Sequence, residues 1–82
     1  MNLVEMTEYL VKSVVANPDM VTVKEFPSEN SNEIIIEVLA DDSDIGRVIG
    51  KNGKTANAIR TLVQASSYLQ DNKKVKINIE SF

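Results

Sequence analysis

Apolar residues at Leu3, Met6, Leu10 and Val14, flanked by Val4, Val11 and Val15, recur at helical spacing and give the start of the chain one broad apolar face. Asn2, with Glu5 three places on, has the form of a capping box, and Asn17-Pro18 is expected to stop this helix. From Met20 to Phe26 the pattern changes to alternation, with Val21 and Val23 on one side and Thr22 and Lys24 on the other, which predicts a strand. Pro27 and the polar stretch 28–32 then form a loop. Glu33 to Leu39 carries Ile34, Ile35, Ile36 and Val38, and apolar side chains on both faces suit the central strand of a small sheet.

Asp41-Asp42-Ser43-Asp44 reads as a cap-rich turn whose acids serve as helix-starting anions. A short helix through Ile45, Val48 and Ile49 follows, and Gly50 is expected to end it. After Lys51, Asn52 and Gly53, a longer helix runs from Lys54 to about Tyr68 or Leu69. Ala56, Ile59, Leu62, Val63 and Leu69 form its apolar side, with Asn57, Arg60 and Gln64 on the other. Asp71-Asn72 breaks it. Lys73 to Glu80 closes the chain as a strand in which Val75, Ile77 and Ile79 alternate with Lys74, Lys76 and Asn78. The element order is αββααβ. It predicts an α+β fold: a three-stranded mixed sheet with an antiparallel first pair, a right-handed crossover to the last strand, and all helices on one face.

Composition sets bounds on this reading. A chain of 82 residues with 43% apolar and 26% charged side chains fits one globular domain over residues 1–82. Cysteine and histidine are absent, so disulfides and the usual zinc ligands are excluded, along with the commonest nucleophile and the commonest general base. No enzyme, metal or cofactor is expected. No apolar run approaches the length of a membrane span, and the cytoplasm is the expected location.

The net charge of −3 argues at first against nucleic acid, but its distribution does not. Arg47, Lys51, Lys54 and Arg60 lie in a stretch with no acid, a local +4, which leaves −7 for the remainder. Such a patch can collect phosphates while the acidic remainder holds affinity down. Lys73, Lys74 and Lys76 form a second cluster, but alternation sends Lys74 and Lys76 to the wet face of the sheet, where they resist aggregation.

Within the basic stretch, Gly50 and Gly53 bracket Lys51-Asn52 between two helices, so the backbone can turn tightly and approach a partner without a Cβ in the way. Gly53 opens a helix whose first N–H groups carry partial positive charge, and Lys54 in that first turn opposes the helix dipole unless an anion joins it. Gly53-Lys54-Thr55 also resembles the tail of a phosphate-binding P-loop. That pattern, however, places a glycine where Val48 stands and a strand where a short helix is predicted.

Val48-Ile49, then Gly-x-x-Gly, then Ala56 and Ile59 on the next helix resembles the signature of KH domains. The order αββααβ resembles the type II arrangement. The whole chain, including Asp44-Ile45-Gly46-Arg47-Val48-Ile49-Gly50-Lys51, is similar to small bacterial single-domain KH proteins of the KhpA type. One departure is Ala56, where KH signatures often carry a larger aliphatic residue. The resemblance implies single-stranded RNA as ligand, with the backbone of about four nucleotides clamped by Gly50, Lys51, Asn52 and Gly53. It implies a groove walled by Arg47, Ile49, Lys54 and Asn57, with the middle strand near Val38 and Leu39 opposite. It also implies a homodimer, a heteromer with a larger KH-containing protein, and roles as an RNA chaperone or post-transcriptional regulator linked to cell shape.

None of the four aromatics, Tyr9, Phe26, Tyr68 and Phe82, lies in the Gly-x-x-Gly segment. Recognition by stacking bases on an aromatic platform is therefore disfavoured, and low intrinsic sequence specificity is expected. The alternative from another class is a protein-interaction and dimerisation module with RNA secondary.

Overall fold

The computed structural model describes all residues, 1–82. Helix α1 (Leu3–Lys12) opens with the expected capping box: Asn2 Oδ1 accepts the Glu5 N–H at 2.8 Å, and the Asn2 N–H donates to Glu5 Oε1 at 3.2 Å. Its buried line is Leu3, Thr7 and Val11, while Met6, Leu10 and Val14 are only half-buried, so the inward face is rotated from the purely apolar one. Thr7 is tolerated at that centre because its hydroxyl donates to the Leu3 carbonyl at 2.7 Å, leaving a methyl to pack.

The helix ends at Lys12 and not at Asn17. The N–H groups of Ala16 and Asn17, which a longer helix would turn back on itself, donate instead to the carboxylate of Asp44 at 3.1 and 2.9 Å. A single 3₁₀ turn, Pro18–Met20, then leads into the sheet.

Strands β1 (Thr22–Pro27) and β2 (Glu33–Ala40) form an antiparallel hairpin with Val23 opposite Val38 and Phe26 opposite Ile35. Strand β3 (Lys74–Ser81) runs parallel to β2, with Ile36 beside Ile77 and Val38 beside Ile79. The order β1-β2-β3 makes β2 the central strand, as its β-branched composition predicts. Along β2 the side chains of Ile34, Ile36, Val38 and Ala40 are buried, and Glu33, Ile35, Glu37 and Leu39 face the half-open side.

Helices α2 (Ile45–Ile49) and α3 (Lys54–Gln70) complete the order αββααβ of a type II KH fold. Helix α1 packs on β1 and α3, and α3 packs on β3 and α2. Val11, Ile36, Val38, Val48 and Val63 are fully buried at the junction. Deleting such a side chain leaves a cavity as well as losing transfer energy, so this junction fixes how the helices sit on the sheet.

The acids before α2 divide their work. Asp41 accepts the Ser43 N–H at 3.1 Å and caps the 3₁₀ turn Asp42–Asp44, as expected of a helix-starting anion. Asp44 makes no such cap. Its side chain is 1% exposed and binds the connector after α1 through Ala16, Asn17 and the Asn17 side-chain amide at 3.1 Å. Burial pushes the Asp44 carboxyl up, but the hydrogen bonds from the Ala16 N–H, the Asn17 amide and the Asn17 N–H, with Arg47 nearby, outweigh it. They hold the carboxyl below its ordinary value of 3.8.

A carboxyl held low in the fold stabilises it fully above the unfolded value, and that contribution is lost as pH falls through the folded one. Asp44→Asn should therefore lower the melting temperature by several degrees at pH 7. The gap between variant and wild type should close as pH is taken below 3.8, measured by circular dichroism melts. A gap independent of pH would show that the carboxylate charge is not what holds the connector.

Candidate nucleic-acid interface

Gly50 closes α2 by donating its N–H to the Gly46 carbonyl at 2.9 Å. The chain then makes one 3₁₀ turn, Lys51–Gly53, in which the Gly53 N–H donates to the Gly50 carbonyl at 3.1 Å. Three residues here have positive φ: Gly50 at 77°, Asn52 at 57° and Gly53 at 75°. Asparagine is among the side chains that tolerate the left-handed region, so Asn52 occupies the one such position that also bears a side chain.

The two glycines serve different ends. A Cβ on Gly50 would stand 2.7 Å from Thr55 Cβ and 2.8 Å from the Thr55 backbone nitrogen, so glycine is needed there by the chain's own packing. A Cβ on Gly53 would meet nothing closer than Asn57 Nδ2 at 3.9 Å, so Gly53 is set by its φ alone and leaves open space above the turn. Gly50 thus makes room for Thr55, while the space beside Gly53 is left open by the chain itself.

Lys51, Asn52, Lys54 and Asn57 are exposed around this turn, and Gly50 and Gly53 are half-buried beneath them. No side chain caps the start of α3, so the cation of Lys54 faces the positive end of the helix. Arg47 presents a side chain 63% exposed on α2, with Nε 3.8 Å from Asp44 Oδ1. Ile49, 41% exposed, sets an apolar side chain beside the turn. All eight residues singled out in the sequence thus lie along one continuous α2–turn–α3 segment.

Two expectations about its surroundings change. Arg60 does not join the basic end: Nη2 donates to the Ile77 carbonyl at 3.3 Å, so the patch consists of Arg47, Lys51 and Lys54. Val38 is fully buried among the helices and supplies no wall, and β2 is paired on both sides.

β1 and β3 are the two edge strands, and α3 lies along the outer edge of β3. Gln64 accepts the Val75 N–H at 2.8 Å and donates to the Lys73 carbonyl at 3.0 Å, and Ser67 Oγ donates to the same carbonyl at 2.7 Å. The polar side of α3 satisfies backbone groups that an edge strand leaves unpaired. Between α3 and β3 runs a groove of about 450 Å³ lined by Arg60, Thr61, Gln64, Ala65, Tyr68 and Val75. Tyr68, 54% exposed, supplies its aromatic side.

Comparison with known proteins decides the family, because the model described as "KhpA/KhpB, KH domain" matches residues 4–79. The chain belongs to the KhpA/KhpB family of KH domains. It is 44% identical over 75 residues to the RNA-binding protein KhpA of Clostridium perfringens, covering 92% of this chain and 96% of that protein. It is 43% identical over 75 residues to the RNA-binding protein KhpA of Chlamydia trachomatis, covering 92% of each. Among solved structures it resembles Era crystallised with MgGDPNP and nucleotides 1506–1542 of 16S ribosomal RNA. The TM-score is 0.68 with 19% identity, over 96% of this chain and 29% of that one. That likeness is one of fold, confined to less than a third of the larger protein.

The unequal glycines give a test within this family. In denaturant titrations Gly53→Ala should cost roughly 1–2 kcal/mol, the usual cost of left-handed backbone for a residue with a Cβ. Gly50→Ala should cost distinctly more, because the Thr55 backbone cannot move aside. Equal losses would contradict the packing role of Gly50.

Proposed function

We propose that this protein binds single-stranded RNA, gripping the sugar-phosphate backbone at the turn Gly50–Gly53 and the start of α3, with little intrinsic preference for sequence. The observation that carries this is the exposed, positively flanked turn between two positive-φ glycines in a chain of the KhpA/KhpB family. Phosphates find three cations in Arg47, Lys51 and Lys54 and the uncapped N–H groups of α3. Ile49 offers an apolar contact, and Asn57 can hydrogen-bond a sugar or a base. Such a grip suits an RNA chaperone or post-transcriptional regulator, which meets many RNAs.

Fluorescence anisotropy with short unstructured RNAs tests the site. Lys51→Asp combined with Asn52→Asp should weaken binding about tenfold or more, from charge reversal at the phosphates. Aspartate keeps the tolerance for positive φ at position 52, so the turn itself should persist. For three cations the log-log salt slope should lie near −2, at about −0.7 per phosphate for single strands. Unchanged affinity, or a slope near zero, would remove the clamp from this turn.

A second observation favours self-association. On α3 the side chains of Ala58, Leu62, Ala65 and Leu69 are all exposed, Leu62 at 50% and Leu69 at 90%, and their spacing of four, three and four residues aligns them in one stripe. The stripe is symmetric about the point between Val63 and Gln64. An antiparallel copy of α3 would set each Leu against an Ala, Leu62 facing Ala65 and Leu69 facing Ala58. We infer that a second copy of this chain covers the stripe in a two-fold dimer, the commonest symmetry of small soluble proteins. A larger KH-containing partner would use the same face.

Leu62→Gln combined with Leu69→Gln, neutral and helix-compatible at two exposed positions, should leave circular dichroism unchanged. It should also abolish a concentration-dependent dimer in sedimentation velocity. A wild-type chain that stays monomeric at every concentration would overturn the pairing.

A further inference from the structure

The clamp and the pairing stripe share one helix, and their positions on it fix a distance. The Gly50–Gly53 turn sits at the N-terminal end of α3, and the stripe is centred between Val63 and Gln64. In an antiparallel pair the two copies of Gly53 therefore lie at opposite ends of the interface. At a helical rise of 1.5 Å per residue they are about 32 Å apart along the axes, with a further offset of about 8–10 Å between them.

The two functions also occupy different sides of the helix. Going round α3, Asn57, Gln64 and Tyr68 point towards the β3 side, where Gln64 and Tyr68 line the groove. Ala58, Leu62 and Leu69 are exposed outside that groove, and Ala65, also exposed, lies at its rim. Pairing through the stripe covers neither Lys51 nor Asn52, so both turns stay open in the dimer.

We propose that the ligand of the assembled protein is a single-stranded RNA long enough to engage both turns at once, so that the dimer acts as a two-point ruler on flexible RNA. This rests on both readings above, the backbone clamp and the two-fold pairing. Each turn takes about four nucleotides. At a stacked rise of about 3.4 Å per nucleotide, a connector of about ten more bridges the gap, and an extended connector needs fewer. RNAs below about 12 nucleotides engage one turn, and RNAs of about 18 or more engage two. The two-fold axis also rotates the path of the strand between the sites, so the connector has to be unstructured single strand and not duplex.

The consequence is a length threshold in affinity that belongs to the dimer. Once the first turn is occupied, the second binding event is intramolecular, and two weak clamps joined this way commonly gain 10²–10⁴-fold over one. This is how a turn with three cations on a chain of net charge −3 can hold long RNA firmly and short RNA loosely.

The test compares wild type with the Leu62→Gln, Leu69→Gln variant on unstructured pyrimidine-rich RNAs of 6, 12 and 24 nucleotides, by anisotropy at fixed salt. Both proteins should bind the 6-mer with equal affinity, two RNAs per wild-type dimer. On the 24-mer wild type should gain at least tenfold more than the monomeric variant, whose own rise measures the statistical benefit of a longer lattice, and the complex should hold one RNA per dimer. Placing a complementary strand across the middle ten nucleotides of the 24-mer should remove that extra gain.

The ways to fail are separable. Loss of 6-mer binding in both proteins would overturn the clamp, and a monomeric wild type would overturn the pairing. A dimer that binds the 6-mer yet shows the same length dependence as the variant would overturn the ruler alone.

Discussion

The carboxylate of Asp44 ties the connector after α1 to the start of α2. By taking the N–H groups of Ala16 and Asn17 and the Asn17 amide, it ends α1, directs the connector into β1, and pins that connector to the first turn of α2. A buried carboxylate without such partners would be costly, so the charge and the hydrogen bonds require one another. The site itself comes directly after Asp44 in the chain: α2, the glycine turn and the start of α3. The placement of the exposed cations on Arg47, Lys51 and Lys54 is thus traceable to an acid three residues before the first of them.

The second constraint is the tightness of the turn. Three positive-φ residues within four positions let α2 and α3 join with almost no loop, and Thr55 packs so closely on Gly50 that the geometry has little freedom. A rigid turn presents its backbone and its two exposed side chains in a set arrangement, which lowers the ordering cost of gripping a flexible polymer. In the proposed clamp the affinity would be limited by the number of cations, while the shape of the turn is set by its own packing.

Most of this was legible in the sequence where a pattern was local. The capping box at Asn2 and Glu5, the alternation in β1 and β3, the β-branched run of β2 and the Gly-x-x-Gly turn each follow from spacing over a few residues. What was not legible depended on contacts far apart in the chain. Asp44 looks like Asp41 and Asp42 until Ala16 and Asn17 arrive beside it, and α1 then ends earlier than its apolar period suggests. Thr7 reads as polar until its hydroxyl turns back onto Leu3. Arg60 reads as part of the basic patch, and Gln64 only as one polar residue of α3, until the outer edge of β3 supplies them with backbone partners. The strand order β1-β2-β3 follows from the β-branched run of β2, whereas the wall that the resemblance places near Val38 fails on packing alone, because Val38 is buried once the helices cover the sheet.

Helix α3 accounts for how so small a chain can combine these features. One side buries Ala56, Ile59, Val63 and Ser67, a second carries Gln64 and Arg60 to the edge of β3, and a third exposes Ala58, Leu62, Ala65 and Leu69. A helix of 17 residues is long enough to hold all three stripes over more than four turns, whereas the 5 residues of α2 are not. An apolar stripe left open on a protein this small is a liability in water, since contiguous exposed apolar surface promotes association of some kind. In the pairing proposed above, the alternation of small and large side chains along it favours one register, in which each leucine would have an alanine to fill. The acidic remainder of the chain would work in the same direction in that pairing, because copies that repel one another elsewhere meet best where the surface carries no charge.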